Sequence, residues 1–164
     1  MKLIPLSISG KNKGKYFSRV DDDDFESLNR FKWYVSLEKK SYAARREYLN
    51  GKNRIVKMHR EIMNCKAGNC ILIDHVDGDG LNNQKINLRF ATFSQNNMNR
   101  VIAKNKIIKS KGVSKAFKSK TFRVRIGINN KSIYVGSFKT EIEAAAAYDE
   151  AAKKLHKEFA NLNI

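Results

Sequence analysis

The sequence is poor in acidic residues, proline and cysteine. Its 164 residues include 16 Asp and Glu against 33 Lys and Arg, which gives a formal net charge of +17. One proline and nine glycines, with 41% hydrophobic residues, exclude a low-complexity chain and predict a folded, soluble protein. No apolar run approaches the roughly 18 residues of a membrane span. A surface this basic is typical of proteins that bind a polyanion, so nucleic acid is the predicted partner.

The two cysteines, Cys65 and Cys70, are too few for a disulfide framework and favour a reducing compartment. The N terminus has only a brief apolar start, so we expect neither export nor membrane insertion and predict a cytoplasmic location. A zinc site formed by both cysteines with His59 and His75 stays open as an alternative. It is disfavoured because the spacing of the cysteines is unusual and the site would consume His75.

Acidic residues are absent from Gly80 to Thr140, although this stretch carries Lys85, Arg89, Arg100 and a dense basic series from Lys104 to Arg125. A solvated surface normally mixes charges of both signs. The stretch therefore predicts a nucleic-acid surface, with Arg89 and Arg100 among its candidates.

The amino-acid composition of the chain changes within the basic segment of residues 99–111. This change predicts two modules, residues 1–104 and 105–164. In the first module, KYFSRV, KWYVSL and YAARREYL predict short strands, and the acidic DDDDFESLNRF segment predicts a short helix or turn. The segment RIVKMHREIMN has apolar residues at helical spacing, at Ile55, Met58 and Ile62, which predicts a helix that buries one face against the sheet.

The second module predicts a three-stranded sheet covered by one helix. TFRVRIGI alternates between an apolar and a cationic face, Asn129 and Asn130 suit a hairpin turn, and SIYVGSF is the returning strand. GVSKAF is the predicted first strand. Thr140 and Glu143 form a predicted capping box for a helix that runs to about Lys157. The predicted apolar stripe of that helix comprises Ile142, Ala145, Ala146, Tyr148, Ala152 and Leu155.

The residues best suited to catalysis lie in the middle of the chain. There, Asp74 and His75 end an apolar run and are followed by a Gly/Asp turn. The turn is followed by spaced asparagines and by a second capping box, Thr92 to Gln95, which starts a helix carrying Asn96 and Asn97. Carboxylate and amide oxygens suit Mg²⁺, and a neighbouring histidine can accept a proton from water. The same turn could suggest a calcium loop, but Leu81 stands where a third ligand belongs, so a plain turn is predicted.

The run DHVDGDGLNNQKINLRFATFSQNNMN resembles the core of the HNH, or ββα-metal, endonucleases in their asparagine-rich phage and intron form. The resemblance covers about residues 1–100. It implies that His75 is the general base, that Asn87 orients it, and that Asp74 and Asn96 hold the metal, with Asn97 as an alternative to Asn96.

The segments KGV, FRVRIG, SIYVGSF and EAAAAYDEAAKKLHKEFANLNI resemble a second family, the ethylene-response-factor or Apetala-type DNA-binding domain. This resemblance covers nearly all of residues 111–164. It implies a DNA-binding sheet, whose candidate contacts are Lys115, Lys118, Lys120, Arg123 and Arg125. The predicted fold class is α+β, with a ββα-metal nuclease module followed by a three-stranded antiparallel sheet packed on one helix.

Together these features predict a site-directed homing endonuclease, encoded by a phage or mobile element, that hydrolyses double-stranded DNA to 5′-phosphate and 3′-hydroxyl ends. The expected cofactor is Mg²⁺, with Mn²⁺ as an alternative, and no small-molecule cofactor is expected. We expect a monomer that nicks one strand. The competing hypothesis is a non-catalytic, sequence-specific DNA-binding regulator.

Overall fold

The chain divides into two compact units, which are described separately. The structure is a computed structural model that describes residues 1–7, 15–37, 41–65, 71–100, 102, 108–116 and 120–164. The first unit is Met1–Phe90 and the second is Ala91–Ile164. This division falls ahead of the predicted module boundary at residues 104 and 105, and the boundary between the functional modules stays a prediction. No helix in the described part of the chain is long and apolar enough to cross a membrane.

The first unit combines small sheets with short helices. Its elements are β1 (Lys2–Leu6), β2 (Tyr16–Val20), α1 (Asp22–Asn29), β3 (Tyr34–Leu37), β4 (Ser41–Leu49), β5 (Lys52–Lys57), α2 (Met58–Ile62), β6 (Leu72–His75), a 3₁₀ turn (Lys85–Asn87) and β7 (Leu88–Ala91), whose last residue is assigned to the second unit. β1 and β2 pair antiparallel, β4 lies between β3 and β5 in a second antiparallel sheet, and β6 pairs with β7.

An apolar core connects these sheets to the helices of the first unit. Trp33 is 1% exposed, and its indole Nε1 donates to the carbonyl oxygen of Leu28 at 2.8 Å. β1, which was not predicted as a strand, contributes Ile4 and Leu6 to the core. Leu88, at the start of β7, belongs to the same cluster. Each large apolar side chain that is fully buried contributes about 1.5–3 kcal/mol, so the core gives β7 a fixed position.

The predicted strands before the acidic segment and after it are confirmed as β2, β3 and β4, and the acidic segment forms α1. The predicted helix over RIVKMHREIMN is wrong in its first half, which is β5. Ile55 pairs with Arg46 of β4, because its β-branched side chain favours an extended backbone, and it is 64% exposed. Met58 and Ile62, in the helical half, are buried.

The second unit contains the predicted three-stranded antiparallel sheet and its helix. Its elements are α3 (Phe93–Met98), β8 (Val113–Lys115), β9 (Phe122–Ile128), β10 (Lys131–Phe138), α4 (Glu141–Leu155) and a 3₁₀ turn (Lys157–Phe159). β9 lies between β8 and β10. Asn129 and Asn130 adopt φ values of 48° and 60°, as the hairpin turn requires. Both predicted capping boxes, at the starts of α3 and α4, are confirmed.

The buried face of α4 differs from the predicted stripe. Ile142 is 75% exposed and Ala146 is also exposed. The buried residues of the helix are Ala144, Ala145, Tyr148, Asp149 and Ala152. Asp149 turns inward because its carboxylate accepts hydrogen bonds from the backbone amides of Asn163 and Ile164 at 2.8 to 2.9 Å. Its burial fixes the C-terminal tail and sets the rotation of the helix, which an apolar pattern cannot show.

Gly112 allows the start of β8 to pass over Tyr148 of α4. Its φ is +72°, and a Cβ atom at this position would lie 2.1 Å from Cδ2 of Tyr148. Its carbonyl oxygen accepts the backbone N–H of Arg125 at 2.9 Å. Only glycine meets both the left-handed backbone and the close approach.

The outer side of this sheet forms a basic surface that we name the arginine face: Ser114, Arg123, Arg125, Ser132, Tyr134 and Ser137. Arg123 stands between Ser114 and Ser137 in the register, and Arg125 stands opposite Tyr134. Lys115, which was predicted to lie on or beside this surface, pairs instead with Phe122. Since directly opposed residues project to the same side of a sheet, Lys115 points away from the arginine face.

Candidate active site

β6 carries a buried carboxylate, Asp74, which is 3% exposed. Its Oδ2 atom accepts hydrogen bonds from Nε and Nη2 of Arg89 at 2.9 and 2.8 Å. Arg89 lies on β7, and the pairing of the two strands brings the groups together. A buried charge needs such a partner because desolvation is costly. The sequence predicted Arg89 as a DNA contact, whereas the structure adds a contact with Asp74 that the sequence did not indicate.

His75, the next residue of β6, is 5% exposed and contacts a chain of buried polar groups. Its Nε2 atom lies 3.3 Å from Oδ1 of Asn83. Asn83 is fully buried, and its Nδ2 donates to Oγ of Ser18 at 2.7 Å. An amide oxygen only accepts, so this arrangement assigns the ring hydrogen to Nε2 and the basic lone pair to Nδ1. Asn83 was not predicted as a site residue; the buried asparagine was indistinguishable in the sequence from its neighbours in the turn.

Two aromatic rings pack against His75. His59 meets it edge to face, with ring centroids 5.1 Å apart, and Tyr42 lies at 5.9 Å. His59 is buried at 6% exposure. Burial, and after it the charges of His75, Lys57 and Arg60, lower the pKa of His59 from 6.5 to about 3. His59 is therefore a neutral wall of the site at neutral pH.

The burial of His59 predicts a pH dependence of stability. Its pKa is lower in the folded than in the unfolded chain, so its contribution is complete above about pH 6.5 and is lost as pH falls toward about 3, by about 1.4 kcal/mol per pH unit. Replacing His59 by Phe keeps a ring and removes the titration. Between pH 7.5 and 4.5, we expect the wild type to lose about 2 to 3 kcal/mol more stability than His59→Phe.

Urea unfolding followed by fluorescence of the single tryptophan, Trp33, measures this difference in the first unit, since Trp33 belongs to its core. Parallel curves for the two proteins across this pH range would show that His59 does not carry the effect.

Asn87 fastens the turn that follows His75. Its Nδ2 donates to Oδ1 of Asp77 at 2.9 Å and to the carbonyl oxygen of Asn82 at 2.8 Å, and its Oδ1 accepts the backbone N–H of Asp77. The resemblance implied that Asn87 orients His75. The described side-chain contacts of Asn87 are with Asp77 and Asn82, in the turn that follows His75. The predicted plain turn at Asp77 and Asp79 has the expected side-chain contacts to backbone amides.

β2 holds the far side of the same turn. The backbone N–H of Arg19 donates to Leu81, and the N–H of Asn83 donates to Arg19, at 2.9 and 2.8 Å. The Arg19 side chain adds an ion pair with Asp79 at 2.6 Å. At Gly80, a Cβ atom would lie 2.3 Å from the carbonyl oxygen of Ser41, so the turn packs closely on β4. The N-terminal sheets thus position Asn83, and with it His75.

Asn96 and Asn97 both lie on α3, in the second unit. Asn97 lines a cleft of that unit together with Ser94 and Met98. Because successive helical residues are turned by about 100°, Asn96 lies on the opposite side of α3 from Ser94 and Met98. This orientation favours Asn96 over Asn97 as the residue with a role outside the cleft, and the choice stays a prediction.

The other predicted contacts are spread over the second unit. Arg123 and Arg125 are exposed on the arginine face, whereas the side chains of Arg100, Lys115 and Lys120 are exposed elsewhere. Lys118 lies outside the described residues.

The alternative zinc site receives no support from the described residues. Cys65 accepts a hydrogen bond from Nη2 of Arg60 at 3.2 Å, and Cys70 lies outside the described residues. His59 packs against Tyr42 and His75.

The donor chemistry at Asp74 fits a hard divalent ion better than a closed structural metal site. Within the described ranges, no group of three His, Cys, Asp or Glu side chains lies close enough to hold a metal. Mg²⁺ needs only one or two protein carboxylates when phosphate oxygens and waters complete its shell. A buried carboxylate such as Asp74 suits that kind of open site.

The first unit carries Asp74 and His75 on β6 and a turn fixed by Asn87, and the capped helix α3 belongs to the second unit. The chain is 31% identical over 162 residues to a protein described as an uncharacterized HNH endonuclease from Acanthamoeba polyphaga mimivirus. The similarity covers 98% of this chain and 81% of that relative. No family model matches the sequence. The chain belongs to the HNH endonuclease family, and its general enzyme type is a nuclease.

Proposed function

We propose that the protein is a metal-dependent, site-directed DNA endonuclease of the homing type. The observation that carries the proposal is the buried pair of Asp74 and His75, held by Arg89 and Asn83, in a chain of the HNH endonuclease family. The products are 5′-phosphate and 3′-hydroxyl ends.

DNA is the substrate that the charge distribution supports. The formal net charge is +17, and no acidic residue occurs from Gly80 to Thr140. The arginine face presents Arg123 and Arg125 beside Tyr134, a combination suited to phosphates and base edges. We therefore propose that the second module is an Apetala-type DNA-binding domain that selects the target, and that the first module cleaves it.

His75 acts as the general base in this proposal. The hydrogen bond between Nε2–H and Asn83 favours the tautomer in which Nδ1 carries the basic lone pair, and Nδ1 accepts the proton from the attacking water. His59 and Tyr42 fix the plane of the ring by packing. A positioned base of this kind typically contributes about 10²- to 10⁴-fold to the rate.

Asp74 is the proposed protein carboxylate for Mg²⁺ or Mn²⁺, and the resemblance adds Asn96 as the second oxygen ligand. When bound, the ion supplies charge stabilisation at the phosphate and at the leaving 3′ oxygen. Arg89 orients Asp74 through its two contacts with Oδ2.

The two neighbouring asparagines provide a matched test of the metal assignment. Asn96→Ala is expected to raise the Mg²⁺ concentration for half-maximal cleavage by at least about tenfold, because a ligand is lost. Asn97→Ala is expected to leave that concentration unchanged, since its side chain lines the cleft of the second unit. Metal titrations of cleavage rate compare the two variants, and the reverse order of effects would assign the ligand to Asn97.

One set of Asp74 and His75 per chain serves one scissile phosphate at a time, so we propose a monomer that nicks one strand. On supercoiled plasmid bearing the target, open circles should form well before linear DNA, at a rate proportional to protein concentration. Prompt linearisation with second-order dependence on protein would contradict the nickase and show a cooperating dimer. DNA binding without any cleavage in Mg²⁺ or Mn²⁺ would favour the regulator.

A further inference from the structure

The second unit contains a cleft of 360 Å³ between α3, α4 and the hairpin that joins β9 to β10. Its lining includes Lys111, Lys131 and His156, and none of the described residues that line it is acidic. Ser94, Asn97 and Asn130 add hydroxyl and amide groups. A cleft that gathers hydrogen-bond donors and cations without a carboxylate is suited to an anion.

The cations of the cleft repel one another. Burial, and after it the charge of Arg100, lower the pKa of Lys111 to about 8. Burial also lowers the pKa of His156, against a hydrogen bond to Gly127 that raises it, and the charge of Lys111 contributes to the lowering. A bound anion would remove the cost of bringing these charges together.

His156 carries a buried polar atom that lacks a partner. The side chain is 4% exposed, and its Nε2 lies 2.7 Å from the carbonyl oxygen of Gly127, which requires Nε2 to donate. Its Nδ1 is buried without a hydrogen-bond partner. Buried polar atoms are rarely left in this state. A proton on Nδ1, stabilised by an anion in the cleft, would satisfy it.

The position of the cleft indicates which anion it takes. Gly127 lies two residues after Arg125 on β9, and Ser132, its partner on β10, lies two residues before Tyr134. The pair is therefore about 7 Å nearer the hairpin than Arg125 and Tyr134. Both Ser132 and Gly127 also line the cleft. The cleft therefore borders the arginine face at the hairpin end of the sheet, while Lys131, opposite Ile128, lies on the side that α4 covers.

We propose that this cleft binds a phosphodiester group of the DNA substrate. The proposal rests on the proposed function, because DNA is the source of the phosphate. The contact ties the DNA backbone to α3, the helix that also carries Asn96. Binding by the second module is thereby coupled to the placement of a DNA strand near that helix.

The test compares Lys131→Gln with Lys139→Gln in the full-length protein, without divalent metal. Both side chains are exposed, and both substitutions remove one positive charge near the ends of β10, but only Lys131 lines the cleft. We expect Lys131→Gln to weaken affinity for duplex DNA by about three- to tenfold, to a similar extent for all sequences, and to reduce the slope of log affinity against log salt by about 1. Equal effects of the two substitutions would overturn the proposal.

The imidazole of His156 gives a second readout. In nitrogen NMR spectra near pH 6.5, duplex DNA should convert His156 toward the doubly protonated form, and Lys131→Gln should reduce the conversion. His59 is the internal reference. An unchanged His156 signal would overturn the proposal, and a response to inorganic phosphate without one to DNA would assign the cleft to a small free anion instead. Cleavage by the wild type in Mg²⁺ is measured separately. If only the cleft proposal is wrong, the wild type still cleaves DNA, whereas if the proposed function is wrong, it does not.

Discussion

His75→Ala is expected to lower the rate of DNA cleavage by about 10²- to 10⁴-fold while leaving DNA affinity nearly unchanged. The substitution removes the base that accepts the proton of the attacking water, and the side chain is only 5% exposed, so it offers little surface to DNA. Single-turnover cleavage and equilibrium binding measure the two effects separately. An equal loss of binding and cleavage would contradict the role of a base.

One further variant, Asp74→Ala, separates this role from that of the metal ligand. Asp74→Ala should regain part of its activity at raised Mn²⁺ or Mg²⁺, whereas metal alone should not restore His75→Ala. Identical metal titrations for the two variants would contradict the division of roles. Ile86→Ala, in the 3₁₀ turn that precedes β7, is a suitable control, because Ile86 is 89% exposed and has no part in the proposed chemistry.

The second large effect is expected at the arginine face. Replacing both Arg123 and Arg125 by Ala should weaken DNA binding by about 10²- to 10³-fold or more, since each arginine is suited to a phosphate or a base edge. The matched control removes the same charge from the opposite side of the unit, by replacing Lys153 and Lys154 of α4, whose side chains are exposed. Fluorescence anisotropy without divalent metal compares the two double variants. Similar losses for both would show that only the overall charge matters, and that the sheet does not read DNA.

The second unit was predictable because its signals are local. Strict alternation in β9, two asparagines at the hairpin and the pairing of Thr140 with Glu143 each depend on a few adjacent residues. What the sequence could not show was the rotation of α4, since it depends on a hydrogen bond between Asp149 and the distant Asn163. The exposure of Ile142 follows from that long-range contact.

In the candidate active site, the acid and the histidine could be predicted from the sequence, but the residues that hold them in place could not. Asp74 and His75 follow an apolar strand pattern that identifies them directly. Asn83 is one of several asparagines, and only the pairing of the turn with Arg19 on β2 shows that it is the buried one that meets His75. The contact of Arg89 with Asp74 likewise depends on the pairing of β6 with β7.

The most direct test of the central claim is to incubate the wild-type protein with a randomised duplex DNA library in Mg²⁺ and to sequence the new ends. Cleavage by a site-directed HNH endonuclease predicts 5′-phosphate and 3′-hydroxyl ends that cluster at one sequence, disappear when the metal is chelated, and are absent with His75→Ala. Binding of a defined sequence with no new ends in Mg²⁺ or Mn²⁺ would contradict the claim, as would ends that His75→Ala produces at the wild-type rate.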